Sequence, residues 1–167
     1  CLPMIGFGQE NNTITESSTQ IISTYDKYKE TTLYHSPFFH EYKGIIGMKY
    51  PVVFLKGSDS PSKVKGEGVI LNLHTTSSQL TANPKGVWIL FVDGYIMKFT
   101  SQKIEYKSND KGSWDYDAYI ELSPEQLEKF LTTQMDGFKL HLHENNFGAG
   151  TLRDMIMGWA IGIKEIE

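Results

Sequence analysis

The chain has 167 residues, of which 40% are hydrophobic and 22% charged, a composition typical of one folded domain and not of a disordered or collagen-like chain. Its 16 basic and 20 acidic residues give a net charge of −4, so there is no basic excess to neutralise nucleic-acid phosphates. No apolar run in the sequence approaches the roughly 18 residues of a membrane-spanning helix, and we therefore expect neither a nucleic-acid partner nor a transmembrane span.

The N-terminal segment indicates export to the periplasm or the cell exterior. Residues 1–8 are small and apolar and give way to polar residues at Gln9, which is typical of the remnant of a secretory leader and its cleavage site. A second interpretation makes Cys1 the lipidated first residue of a lipoprotein. In both, residues 9–24 form a polar linker before a single domain over residues 25–167. Cys1 is the only cysteine, so the domain has no intrachain disulfide.

An aromatic segment follows the linker. Tyr34, Phe38, Phe39 and Tyr42 lie within nine residues, and exposed aromatic faces can stack on sugar rings or anchor a protein partner. These four residues are therefore our candidate ligand-binding residues, and the alternative is that they are ordinary core residues. Pro37 argues against a central strand, so part of the segment is predicted to be an edge or a loop.

Patterns of period two predict β-strands from here onward. Residues 45–56 predict one or two strands that bend near Pro51, and residues 69–75 predict a strand with one apolar face. Residues 87–92 are apolar throughout, as in a central strand that is covered on both faces. For such a strand we expect Leu90→Ala to cost about 2–5 kcal/mol.

Two hairpins are predicted next. Asp93-Gly94 predicts a two-residue turn in which both residues have positive φ, and residues 102–106 and 114–121 predict a second hairpin. On its second strand Asp115, Asp117 and Glu121 share one face. This acidic row could hold Ca²⁺, supply a carboxylate pair for glycoside hydrolysis, or be the solvent face of an amphipathic strand.

Two short helices are predicted. Ser123 is followed by Pro124 and by Gln126, which is the arrangement of a capping box with proline at the first helical position. Near the C-terminus an apolar stripe at helical spacing ends at Trp159, as in an amphipathic helix. Gly158 and Gly162 leave two interpretations open for residues 159–166, a helix or a closing strand.

A metal site is the best candidate for chemistry. Residues 138–143 predict a strand with Phe138, Leu140 and Leu142 inward and with His141 and His143 outward. On a strand, residues i and i+2 lie about 7 Å apart on one face, so the two imidazoles could bind Zn²⁺ with a third ligand from His74 or Asp117. The alternative is a pair of solvated histidines. The sequence has no G-x-S-x-G elbow, no P-loop and no complete H-E-x-x-H motif.

Six to eight strands with tight turns in one domain predict a mainly β fold. We expect an antiparallel β-sandwich or a partly open barrel, with two short accessory helices.

The sequence also resembles uncharacterised, exported, single-domain bacterial proteins. The resemblance covers residues 25–145 and rests on short segments, which are Tyr25-Asp26-Lys27-Tyr28, Thr31-Thr32, Ser36, residues 88–94, residues 116–123, Leu127 to Phe130, and Phe138-Lys139-Leu140. It implies an all-β domain tied to the cell envelope and implies no activity. The sequence departs from the pattern at Gly148-Ala149-Gly150, where an apolar tail replaces a more polar helix.

Two hypotheses for the function follow. In the first, the chain is a non-catalytic exported module of the bacterial cell envelope, without a cofactor, that binds a glycan, a small ligand or an envelope protein or serves a structural role. In the second, it is a metal-assisted hydrolase in which Zn²⁺ at His141 and His143 keeps an open position for water.

Overall fold

The computed structural model describes residues 20–42, 45–57, 68–148 and 150–166. These residues form two antiparallel β-sheets, a separate two-stranded hairpin and two helices. Because both sheets end in free edges, the described part of the chain is a sandwich and not a closed barrel. The predicted fold class is confirmed.

Strands precede and separate the two helices along the chain. The strands are β1 (Ile22–Asp26), β2 (Thr31–His35), β3 (Phe39–Tyr42), β4 (Ile45–Lys49), β5 (Val52–Lys56), β6 (Val69–Ser77), β7 (Lys85–Phe91), β8 (Ile96–Lys103), β9 (Glu105–Ser108), β10 (Trp114–Leu122), β11 (Met135–Leu140) and β12 (His143–Asn146). The helices are α1 (Pro124–Thr132), between β10 and β11, and α2 (Thr151–Lys164), after β12.

The six-stranded sheet has the order β1-β2-β5-β6-β10-β9, and the four-stranded sheet has the order β12-β11-β7-β8. The chain crosses from the second sheet to the first at Ile104, which is buried between β8 and β9. The predicted strand over residues 102–106 was therefore wrong, since its two halves belong to different sheets. Only residues 105–108 pair with β10 as a hairpin.

The core lies between the sheets and follows the alternation along their strands. On β10 the buried residues are Tyr116, Ala118, Ile120 and Leu122, whereas the residues between them lie on the opposite face. The ring of Phe130 on α1 packs edge-on against Phe54 and Phe91, at centroid distances of 5.6 and 5.1 Å. The helix thus contributes to the core between β5 and β7.

The start of α1 confirms the predicted capping box. The backbone N–H of Gln126 donates to Ser123 Oγ at 3.2 Å, and the backbone N–H of Ser123 donates to Gln126 Oε1 at 2.8 Å. Two N–H groups that a helix start leaves without partners are satisfied in this way.

The C-terminal segment is helical through Lys164, which decides between the two interpretations of residues 159–166. Gly158 and Gly162 lower helix propensity, but burial of the apolar face of α2 outweighs that cost. Trp159 and Ile163 are fully buried on this face. Helix α2 contacts α1, β5 and β11 and so joins both sheets.

Three other predictions need correction. Strand β7 lies between β11 and β8, as a central strand should, but only one of its faces is buried, and Trp88 and Leu90 on the other face keep part of their surface exposed. At the following turn only Gly94 has positive φ, at 88°. The backbone N–H of Phe91 donates to the carbonyl of Tyr95 at 3.0 Å, so the loop between them has three residues and not two. Strand β1 starts at Ile22, inside the predicted linker 9–24, and the remaining linker up to residue 19 and the predicted leader lie outside the described residues.

Among the described residues, no helix combines the length and the apolar character that crossing a membrane requires.

Candidate functional site

An open cleft of about 870 Å³, which we name the hairpin cleft, lies beside the β3–β4 hairpin. One wall comes from Phe38, Phe39 and the segment 48–51, and the floor comes from His74 and Asp117 on the outer face of the six-stranded sheet. The loop between β9 and β10 forms the rim, and Asn145 of β12 completes the lining. Its volume lies within the range of about 300–1,000 Å³ that ligand sites occupy.

A cluster of four polar side chains, Lys49, Asn72, His74 and Asp117, lies at the cleft. Asp117 Oδ1 accepts hydrogen bonds from Lys49 Nζ at 2.8 Å and from Asn72 Nδ2 at 3.1 Å, and it lies 3.2 Å from His74 Nδ1. His74 and Asp117 are register partners on β6 and β10, so both side chains lie on one face. The carboxylate therefore connects β4 of the separate hairpin with β6 and β10 of the six-stranded sheet.

The charges in this cluster favour one ionisation state of Asp117. Burial opposes its ionisation, but the hydrogen bond from His74 and the charge of Lys49 outweigh burial and hold the pKa of the carboxyl well below its ordinary value. Tyr119 lies two residues further along the same strand face. Burial, with the nearby charges of Asp117 and Glu105, raises the pKa of its phenol to about 12. The floor thus presents an ionised carboxylate at Asp117, and the phenol of Tyr119, which does not line the cleft, stays protonated.

The rim of the cleft is held by an asparagine. The Asn109 side-chain oxygen accepts from the backbone N–H groups of Lys111 and Ser113, both at 3.0 Å, and its Nδ2 donates to Asp115 Oδ1 at 3.0 Å. Asn favours such local turns because its short side chain reaches the backbone two residues on. Gly112, with φ of 73°, takes the left-handed position that closes the loop.

The predicted aromatic residues separate into two groups. Phe38 and Phe39 line the cleft, and the Phe39 side chain is 48% exposed. Phe38 is held in place by stacking on His35 at 4.1 Å. Tyr34 does not line the cleft and packs against the core, and the side chain of Tyr42 lies outside the described residues. Residues 36–38 interrupt the strands, as Pro37 predicted.

The structure does not bring the predicted zinc ligands together. The ring of His143 packs on Tyr116, 4.4 Å between centroids, on the inner side of the six-stranded sheet. Asp117, the next residue along β10, points to the outer face with His74. His143 and the pair formed by His74 and Asp117 therefore lie on opposite sides of the six-stranded sheet. In the part of the chain that the structure describes, no group of three His, Cys, Asp or Glu side chains is suited to a metal.

The predicted strand over residues 138–143 was also wrong. Strand β11 ends at Leu140, and the next two residues form the turn to β12. His141 has φ of 56° and its Nδ1 donates to the carbonyl of Lys85 at 3.0 Å, while Leu142 is 67% exposed. His141 hence lies within the turn and His143 begins the next strand, so the two histidines do not share one face of a strand.

Two of the three carboxylates of the acidic row on β10 have partners within the protein, whereas Glu121 is exposed. Asp117 is paired with Lys49, and Asp115 accepts from Asn109. A Ca²⁺ ion needs several free oxygen ligands, and these contacts compete with such an ion for the same oxygens.

Comparison with known proteins gives no match: no family model, no curated protein and no solved structure is detectably similar to this chain. The class that the geometry defines is an antiparallel β-sandwich with a lateral cleft.

The lowered pKa values of His35 and Asp117 indicate that acid reduces the free energy of unfolding in two stages. Burial, partly offset by the hydrogen bond from Nδ1 to the Ser36 carbonyl, lowers the pKa of His35 from 6.5. As the pH falls, His35 therefore takes up a proton in the unfolded chain before it does so in the folded chain, so the free energy of unfolding decreases as the pH drops below 6.5. The lowered pKa of Asp117 adds stability that is present above pH 3.8 and is lost as the pH falls further.

Urea unfolding at pH 7.5, 5.5 and 3.0 measures both stages. We expect His35→Gln to reduce the loss between pH 7.5 and 5.5, to which His143 also contributes because burial and His141 lower its pKa, and Asp117→Asn to reduce the loss below pH 4. Equal stability of the unmodified chain at pH 7.5 and 5.5 would contradict the first stage.

Proposed function

We propose that this chain is a non-catalytic binding module of an exported protein of the bacterial cell envelope, and that its ligand is a neutral, hydroxyl-rich segment such as a stretch of glycan. The leader-like residues 1–8, Cys1 and the resemblance to exported bacterial proteins support the location. The observation that carries the ligand class is the lining of the hairpin cleft, which combines an exposed aromatic side chain with balanced charges.

The balance of charge is the first argument. The described lining residues include three lysines, at positions 49, 107 and 111, and three aspartates, at positions 110, 115 and 117. A cleft that selects phosphate or another anion has an excess of positive groups. Here neither sign dominates, which favours a ligand without net charge.

The lining of the hairpin cleft also combines apolar side chains with polar and charged ones. Phe39 and Met48 expose 48% and 75% of their surface beside amide, carboxylate and ammonium groups. A sugar ring has an apolar face of C–H groups and a periphery of hydroxyls, and each hydroxyl both donates and accepts. The apolar wall and polar rim of the cleft suit these two surfaces.

The contacts of His74 support a role without catalysis. A nucleophile-base pair needs a hydroxyl or thiol within hydrogen-bond distance of the imidazole. Among the described residues, His74 bonds to Asp117, and no serine, threonine or cysteine joins it. The same Asp117 oxygen also accepts hydrogen bonds from Lys49 and Asn72, as expected of a cluster that stabilises the structure.

The test is titration of the full chain with neutral and charged hexasaccharides by calorimetry. We expect a neutral hexasaccharide such as cellohexaose, xylohexaose or mannohexaose to bind, and Phe39→Ala to weaken that binding by at least about tenfold. Tyr25→Ala is the matched control, because Tyr25 is 62% exposed on the edge strand β1, away from the cleft. Binding of charged oligomers only, or equal effects of both variants, would refute the proposal.

A further inference from the structure

The outer face of the four-stranded sheet carries a second cavity, of about 310 Å³, formed around Trp88. Register pairs place Lys98, Trp88, Lys139 and Glu144 in one row across the four strands, and Ile96, Leu90, Gly137 and Asn146 in the next. Residues that pair directly point to the same face. Two rows of side chains thus line the cavity on the side away from the core.

The backbone fixes the position of the tryptophan ring. Gly86 has φ of 98°, and a Cβ atom at this position would lie 2.6 Å from Trp88 Cη2 and 2.9 Å from Cζ3. The six-membered ring therefore lies against the backbone of Gly86 instead of standing away from the sheet. A side chain at position 86 would displace the ring, so Gly86 allows the indole to pack against the backbone of the sheet.

A second glycine forms the depression next to this ring. A Cβ atom on Gly137 would lie 2.6 Å from the Asn145 carbonyl oxygen and 3.0 Å from Asn146 Oδ1. Gly137 therefore carries no side chain, and the Asn145 carbonyl and the Asn146 amide lie close against its backbone. The cavity lies beside this glycine, with an apolar floor of Trp88, Leu90 and Ile96.

The polar rim consists of Lys139, Glu144 and Asn146. None of these three side chains makes a hydrogen bond or an ion pair to another residue in the described ranges, whereas Ile96 on the floor is 45% exposed. The rim thus offers an ammonium, a carboxylate and an amide that have no partners in the described chain. An apolar floor with a few convergent polar groups is the usual make-up of a small-ligand site.

We propose that this cavity is a second carbohydrate site, which holds one pyranose ring with its C–H face on Trp88 and its hydroxyls toward Lys139, Glu144 and Asn146. Its volume is near the lower end of ligand sites, which suits a single ring better than an extended segment. The site is independent of the hairpin cleft because no residue lines both cavities.

Calorimetry and tryptophan fluorescence of the full chain test this site with two probes, cellohexaose and hexagalacturonate. We expect at least one probe to bind and to change tryptophan emission, and the change should disappear in Trp88→Phe, because Trp114 is also partly exposed whereas Trp159 is fully buried. Trp88→Ala should weaken this binding by at least about tenfold, while Trp88→Phe should retain most of it. The probe that binds more tightly identifies the ring as neutral or acidic.

Controls separate this site from the hairpin cleft and from misfolding. Glu144→Gln and Asn146→Ala alter exposed residues and should weaken binding without changing the thermal unfolding temperature. Phe39→Ala in the cleft and Tyr28→Ala, which removes an 87% exposed ring, should leave the Trp88-dependent component unchanged. Binding that is lost in Phe39→Ala but not in Trp88→Ala would overturn the second site and leave the cleft proposal standing.

Two further results would overturn it. One is the absence of heat and of emission change with both probes at millimolar concentration. The other is a dimer of the free chain, measured by light scattering, that Trp88→Ala dissociates, because the face would then be covered by a second copy.

Discussion

Trp159→Ala is expected to destabilise the chain by about 3–5 kcal/mol. Trp159 lies in α2, is fully buried, and packs edge-on against Tyr50 at 5.0 Å between centroids. Replacing the indole by a methyl group loses its transfer free energy and leaves a cavity that helix and sheet cannot fill by small shifts. Urea unfolding, monitored by far-ultraviolet circular dichroism, measures the difference.

Ile161→Ala is the matched control on the same helix. Ile161 is 42% exposed, so its truncation should change the free energy of unfolding by no more than about 0.5 kcal/mol. A loss for Trp159→Ala no larger than that of the control would contradict the placement of α2 in the core.

Adjacent residues on β7 give the second large effect. Ile89 is fully buried and points between the sheets, so Ile89→Ala should cost about 2–5 kcal/mol. Leu90 points to the outer face and lines the floor of the cavity around Trp88. Leu90→Ala should therefore cost less than about 1 kcal/mol, in contrast to the larger cost that the apolar run 87–92 predicts.

The comparison needs no further control because both substitutions remove the same number of carbon atoms from neighbouring positions. Chemical denaturation at one pH and temperature compares them directly. Similar large losses at both positions would mean that the outer face of the four-stranded sheet is covered, which would also argue against the second carbohydrate site.

Local features of this fold were predictable from the sequence. The capping box at Ser123 needs only residues within one turn of helix, and the glycine of the turn after β7 marks its own left-handed position. Such signals depend on short-range sterics and hydrogen bonds, which a sequence carries explicitly. Together with the period-two patterns of the strands, they sufficed for the fold class, but not for the pairing of distant strands.

The hairpin cleft was only half predictable. Phe38, Phe39, His74 and Asp117 were identified as candidates, but as members of two different sites. Lys49, which bonds to Asp117, is 68 positions away in sequence and Asn72 is 45 positions away. No local pattern marks either residue, because their role follows from strand register across the sheet.

The strand predicted over residues 138–143, on which the zinc site was based, was wrong for a local reason. Leu140 and Leu142 alternate with His141 and His143 in the sequence, as on a strand with one buried face. In the structure the turn of the β11–β12 hairpin falls on residues 141 and 142, and it places a leucine in solvent. A turn without glycine, proline, asparagine or aspartate gives no signal that separates it from a strand.

The crossing at Ile104 has a consequence for the rate of folding. Strands β6 and β10 are neighbours in the six-stranded sheet, yet β7 and β8 lie between them in the chain and belong to the other sheet. The pairing of β6 with β10 thus closes a loop that contains two of the four strands of the other sheet. Such high contact order slows folding, and we expect this domain to refold on a timescale of milliseconds to seconds. Both sheets should also be acquired in one cooperative step, since neither is continuous in sequence.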